Sequence, residues 1–341
     1  MFFLYNHAGG LPVIENRQAA DSSVAELPAV VINPVWTQGL GVFYNVDAQG
    51  AITVVASYEE MSPSWDLIVP CYLGATTNPG LLFYNRTAGI GEFYTVDFWG
   101  NLQLKMHYEG WRTSWNEIVP CDFHGDVPGL LMYDRSAGTG ELYAVDEFGN
   151  ISLVGHYEGW STTWDLIVPG SYWGVLFYDR TAGIAAFYSV NARGDMSLAT
   201  EDDLWRTSWN QIVPVAGNIL VLYDRAAGTG EFYSIEGTDL KLLARDSYWR
   251  PSWDLVVAGN VGESVAVMLL YDRSAGAGAF YSFDQHGNMS LLAEHDDWSK
   301  GWDVILAAPQ PFEARPPGPP DGPDGPTPPA GPARAHPRGD G

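Results

Sequence analysis

Short apolar runs, each closed by polar or glycine-bearing residues, recur along this chain from its first residues to about residue 312. One kind ends in a charged pair: LLMYDR, VLFYDR, LVLYDR and MLLYDR, with LLFYNR once. It is followed by a turn such as SAGTG, an aromatic run such as GELYAV, a polar turn such as DEFGN, a third run such as ISLVGHY, and finally WDLIVPG. The runs are short and rich in Val, Ile, Leu, Phe and Tyr, and the glycines between them supply the positive φ that hairpin corners need, so the pattern predicts strands and no helix of useful length. Each unit therefore carries four strands.

The second tryptophan of each unit measures the repeat: Trp65, Trp115, Trp164, Trp209, Trp253 and Trp302 stand 50, 49, 45, 44 and 49 residues apart. Six copies of a four-stranded antiparallel unit bury their sheet edges most simply as a ring of blades, so the expected fold is an all-β, six-bladed propeller over residues 29–312. A straight stack is the alternative. In the first unit the strand equivalent to Tyr-Asp-Arg is either FFLYNHAGG at the N-terminus or AVVINPV at 29–35. The second choice makes residues 1–28 an extension or part of a seventh blade. From residue 313 to 341 the composition becomes Pro, Gly, Ala and Asp, which cannot bury a core and predicts a disordered tail.

Charge narrows the partners. With 17 Lys plus Arg against 41 Asp plus Glu, a formal charge of -24, the surface should repel nucleic acid and anionic membranes. The opening MFFLYNHAGGLPVIENR lacks a basic segment and a long apolar run, so no signal peptide or membrane insertion is expected and the default compartment is cytoplasmic, unless another route exports the chain. Cys71 and Cys121 each follow Ile-Val-Pro, which makes them equivalent repeat positions rather than a disulfide framework.

The stretch IVPCDFHGDVPGLLMYDR (118–135) resembles the FG-GAP or VCBS-type propeller repeat, whose Asp-rich loop precedes a strand, and the general plan resembles the tachylectin-like propellers, which are sugar-binding lectins; similar Trp-rich units occur in bacterial propeller repeats. The first resemblance implies a calcium loop. Only Asp122 and Asp126 match it, while His124, Val127 and Gly129 depart, so no cofactor is expected and these two aspartates are the sole candidate calcium ligands. The second implies carbohydrate recognition.

The recurring polar and aromatic residues admit two uses. With the Tyr-Asp-Arg strand innermost, its end shares one face with the loops WRTSW (111–115 and 205–209), WSTTW, WRPSW and WSKGW. As cement, the tryptophans wedge between blades while Asp134 with Arg135, Asp179 with Arg180, Asp224 with Arg225 and Asp272 with Arg273 tie the turns. As binding sites, the first tryptophans (Trp111, Trp160, Trp205, Trp249, Trp298) would offer faces to sugar C–H groups, with Arg112, Arg206, Arg250 and the Asp-Arg pairs reaching hydroxyls. Met61 impairs the first such site. No G-x-S-x-G, H-E-x-x-H or phosphate-cradling loop occurs, and the carboxylates stand in repeated turn positions, so no enzyme is expected. His107 and His156 precede Tyr-Glu-Gly-Trp in adjacent units, a shared strand position. The expected function is multivalent, lectin-like carbohydrate recognition, and the alternative is a protein-interaction scaffold.

Overall fold

A computed structural model of the chain describes residues 1–7, 38–74, 78–123, 127–170, 174–215, 218–236, 239–261 and 265–307. These form six four-stranded antiparallel sheets arranged as the blades of a propeller. Blade 2 shows the plan: an inner strand Leu67–Leu73, a second strand Asn78–Asn85, a third Ile90–Val96 and an outer strand Leu102–Tyr108, each paired with the next. No helix is long and apolar enough to cross a membrane.

The radial order differs from the expectation in one respect. The strand at the axis is the Ile-Val-Pro run, and the Tyr-Asp-Arg run lies second. The six inner strands are Val304–Ala307 in blade 1, Leu67–Leu73, Glu117–Pro120, Leu166–Pro169, Gln211–Val215 and Leu255–Val261 in blade 6, and each touches its neighbours around the ring. Burial explains the order. The Tyr-Asp-Arg strand is buried along its whole length, as in Gly129–Asp134 and Gly174–Asp179, because it has a blade on either face and a strand on either edge. The inner strand has one free edge at the axis, and its Pro70, Pro120, Pro169 and Pro214 cost no ladder bond on such an edge.

Of the two segments that could open the first unit, Phe2–Asn6 is the strand. It pairs with Gly39–Val46 on one side and with the C-terminal Val304–Ala307 on the other, so the first blade joins both ends of the repeat region and closes the ring. The propeller thus begins at residue 2 rather than at residue 29. Ala29–Val35 and the tail 313–341 lie outside the described residues.

Every third strand meets a bulged outer strand at the same place, for example between Phe93 and Tyr94 and between Leu142 and Tyr143. The outer strands are then sewn to the next blade. Tyr58, Tyr108 and Tyr157 each donate to the carbonyl of Gly100, Gly149 or Gly194 and accept from the amide two residues further on. His295 makes the equivalent contact to the Gly50 carbonyl where blade 6 meets blade 1.

Candidate functional site

The loops from each outer strand to the next inner strand carry the tryptophan pairs, and they share a face with the turns after Tyr-Asp-Arg. The structure brings these residues together as a repeated lattice of bonds. Each Tyr of the buried strand reaches the loop entering the next blade: Tyr84 to the Arg112 carbonyl at 2.7 Å, Tyr133 to Ser161, Tyr178 to Arg206, Tyr223 to Arg250 and Tyr271 to Ser299. The following Asp134, Asp179 and Asp224 accept from Ser114, Thr163 and Ser208 in the loop before them and from the amides of Ala137, Ala182 and Ala227 in their own turn. Asp272 likewise accepts from the Ala275 amide and the Ser274 hydroxyl. Burial pushes the Asp134 carboxyl up, but hydrogen bonds from Ser114, Ser136 and Ala137 outweigh it and hold the group below the usual carboxylate range.

The arginines next in sequence do not pair with those aspartates. Arg180 Nε donates to the Trp209 carbonyl at 3.0 Å, Arg225 Nη2 to that of Trp253 at 2.6 Å and Arg273 Nη2 to that of Trp302 at 2.8 Å, each crossing to the next blade's inner strand. Arg86 does the same to Trp115. Arg135 is held by its amide on Asn116 Oδ1, and its buried Nε has no partner among the described residues.

The tryptophans are consumed by packing. The second of each pair is buried in every unit. In four of the five units that have it, the first lies over a glycine near the start of the third strand, where a Cβ on Gly140 would stand 2.2 Å from Trp160 and one on Gly230 2.3 Å from Trp249; for Trp205 that position is Ala185. Trp249 and Trp298 are buried outright, and Trp160 stacks on Tyr157 with ring centroids 5.4 Å apart. Introducing a side chain under that ring, Gly230→Val, is expected to lower stability by ~1–3 kcal/mol through overpacking, read as a lower melting temperature. The loop arginines are also taken. Arg112, Arg206 and Arg250 lie 4.4, 4.3 and 5.0 Å over the rings of Trp115, Trp209 and Trp253. Their outer nitrogens meet Glu141 at 2.9 Å, Glu231 at 2.8 Å and Glu294 at 2.7 Å. Packing and ion pairs thus engage these tryptophans and arginines.

The groove between blades 1 and 2 breaks this symmetry. There Met61 takes the place of the first tryptophan, over Gly41, and Ser62 takes the place of the arginine. The third strand nevertheless presents Glu92, equivalent to Glu141 and Glu231. Among the described residues Glu92 is the glutamate of this series that no arginine meets. Instead His107 Nδ1 lies 2.8 Å from Glu92 Oε1, and the Tyr94 hydroxyl donates to Oε2 at 2.7 Å. The imidazole is 39% exposed, and its Nε2 lies 3.5 Å from the exposed Glu109 carboxylate. Its hydrogen bond to Glu92 raises the His107 pKa above the ordinary histidine value. In blade 3 the matching His156 is 3.3 Å from Glu141, but Arg112 already neutralises that carboxylate. The sequence reading passed over Glu92 because its partner lies 15 residues away, and it took the loss of the tryptophan at Met61 for an impaired site rather than an open one. The signal was present in the one unit that keeps glutamate and histidine but has Ser62 for arginine.

The metal expectation falls partly outside the described residues, since Asp126 and His124 belong there. Among the described residues no cluster of three or more His, Cys, Asp or Glu is arranged to hold a metal ion. Cys71 and Cys121 are free and buried, and burial pushes the Cys71 thiol up to about 12, so neither is a ready nucleophile.

No family model and no curated protein matches the chain. Solved structures do. The periplasmic gluconolactonase of Pseudomonas aeruginosa is 12% identical with a TM-score of 0.50, over 80% of this chain and 82% of that one. A putative 6-phosphogluconolactonase of Bacteroides uniformis is 10% identical with a TM-score of 0.50, over 79% and 81%. A virginiamycin B lyase of Staphylococcus aureus aligns with a TM-score of 0.41 at 11% identity, over 76% and 80%. At these identities the likeness shows the propeller fold. The FG-GAP, VCBS and tachylectin-like resemblances reduce to that shared plan. The expectation of a non-catalytic lectin or scaffold is corrected: the solved propellers that align at a TM-score of 0.50 are named as a gluconolactonase and a putative 6-phosphogluconolactonase.

Proposed function

We propose that this protein hydrolyses a small ester or lactone in the groove between blades 1 and 2, with His107 as general base and Glu92 as the positioning residue. The observation that carries this reading is the 2.8 Å contact of His107 with Glu92, the glutamate of the Glu92, Glu141 and Glu231 series that no arginine meets among the described residues. The likeness of the fold to a gluconolactonase makes a lactone the natural first substrate.

The chemistry follows from the dyad. Glu92 fixes the tautomer with the proton on Nδ1 and leaves Nε2 as the proton acceptor, beside the exposed Glu109. Nε2 then takes a proton from a water as that water attacks the acyl carbon. When the ring C–O bond breaks, the imidazolium returns the proton to the leaving alkoxide, so water is consumed and a hydroxy acid is released.

The test is release of acid from glucono-δ-lactone above the buffer rate. His107→Asn is expected to lower kcat by ~10²- to 10⁴-fold, the usual worth of a general base. The rate should rise as pH increases through the His107 pKa, since the base must be neutral. Glu92→Gln removes the bond that raises that pKa, so the rising limb should move to lower pH while kcat falls. Lactone and simple-ester hydrolysis no faster than buffer, or a His107→Asn variant as active as the parent, overturns the reading.

A further inference from the structure

The face opposite the tryptophan loops carries a cleft of about 450 Å³ beside blade 2, within the range of small-ligand sites. It is bounded by the ends of the third strands and by the turns that lead to the outer strands. Its apolar wall is Val96 with Phe98, whose ring is 69% exposed. Carboxamides from three segments, Asn45, Asn78 and Gln103, also line it.

Two departures from the repeat are confined to this place. The residue extruded by the outer-strand bulge is hydrocarbon elsewhere, as Val55, Val154, Ala199, Leu243 and Leu292, but in blade 2 it is Lys105. Its ammonium is hydrogen-bonded by the Gln103 carboxamide at 2.8 Å, with no carboxylate within ion-pair distance among the described residues. The turn position held by Ala48, Glu147, Ala192 and Gln285 in other blades is aromatic here, as Phe98. Packing does not call for either change, because the other blades close without them.

Two carboxylates also line the cleft. Asp97 is held ionised by hydrogen bonds from the Asn101 side chain and the amides of Asn101 and Trp99, and exposed Glu147 comes from the turn of blade 3. A simple anion would face this pair, and a simple cation would face Lys105. We infer that this cleft binds a zwitterionic, amphipathic molecule of the amino-acid or short-peptide class. Its carboxylate meets Lys105, its ammonium meets Asp97 and Glu147, its amide meets the carboxamides, and an apolar side chain lies against Phe98. The site is independent of the Glu92–His107 groove, which lies on the other face.

Calorimetric titration of the whole chain with the dipeptide alanyl-phenylalanine tests this, beside its N-acetylated and C-amidated forms. The free dipeptide is expected to bind saturably, and either blocked form ~tenfold more weakly, the worth of one desolvated charge contact. Lys105→Met should weaken the free dipeptide by the same factor and leave the C-amidated form unchanged, while Phe98→Ala should weaken all three. Absence of saturable binding, or equal loss of the free and amidated peptides in Lys105→Met, overturns the inference.

Discussion

Replacing Trp253 with alanine is expected to cost ~3–5 kcal/mol, the range for deleting a large buried aromatic. Trp253 is 2% exposed and sits in a cluster with Val221, Tyr223, Phe232 and Met268, under the Arg250 guanidinium. Its carbonyl also receives Arg225 from the blade before it, so the ring and its backbone join blades 5 and 6. Trp249→Ala should cost a comparable amount, because Trp249 is 6% exposed and lies over Gly230. Chemical denaturation with both variants checks it. A loss below ~1 kcal/mol at either position would mean that the aromatic ladder between blades contributes little.

A second large effect is expected at Glu231, a fully buried carboxylate met by Arg206 at 2.8 Å, Arg245 at 2.7 Å and the Tyr233 hydroxyl at 2.6 Å. Removing it leaves two part-exposed guanidinium groups without their shared partner and a void under Tyr233, and Glu231→Ala should cost ~2–3 kcal/mol, less than deletion from a fully buried ion pair because water can reach Arg206 and Arg245. The pH dependence has a definite sign. Burial pushes the Glu231 carboxyl up, but the bonds from Tyr233 and Arg245 and the charge of Arg206 outweigh it, and the folded-state pKa lies below the ordinary glutamate value. Its contribution is therefore complete above the unfolded value of ~4.3 and is lost as pH falls through the lower folded pKa. Melting curves between neutral pH and pH 3 should show parent and variant converging only at the acid end of the range. A constant gap throughout would assign the cost of the substitution to packing alone.

The repeat itself was legible because its physics is local and written six times. Gly-bearing turns, period-two apolar runs and the tryptophan spacing specify strands, strand number and unit number without reference to any distant contact, and closure of six equal units on themselves leaves few alternatives. The shared face of the tryptophan loops and the Tyr-Asp-Arg turns also followed from strand alternation alone. What the sequence could not fix was which run stands at the axis. A repeat reads identically from any starting strand, and only the pairing of Phe2–Asn6 with Val304–Ala307 sets the phase of the ring.

The site was decided at the tertiary level for a related reason. By letter, Trp111 with Arg112 looks like a binding platform, and nothing local reveals that the indole covers Gly91 or that the guanidinium spans Trp115 and Glu141. Gly91 and Glu141 come from other strands, and Glu141 from the next blade. Likewise Glu92 and His107 are two ordinary repeat residues until cross-strand register puts them 2.8 Å apart and Ser62 leaves the groove beside them without its arginine. Repetition determined the scaffold, since each unit solves the same packing problem with its own residues. The departures from repetition acquire chemical meaning only from neighbours that the ring brings together.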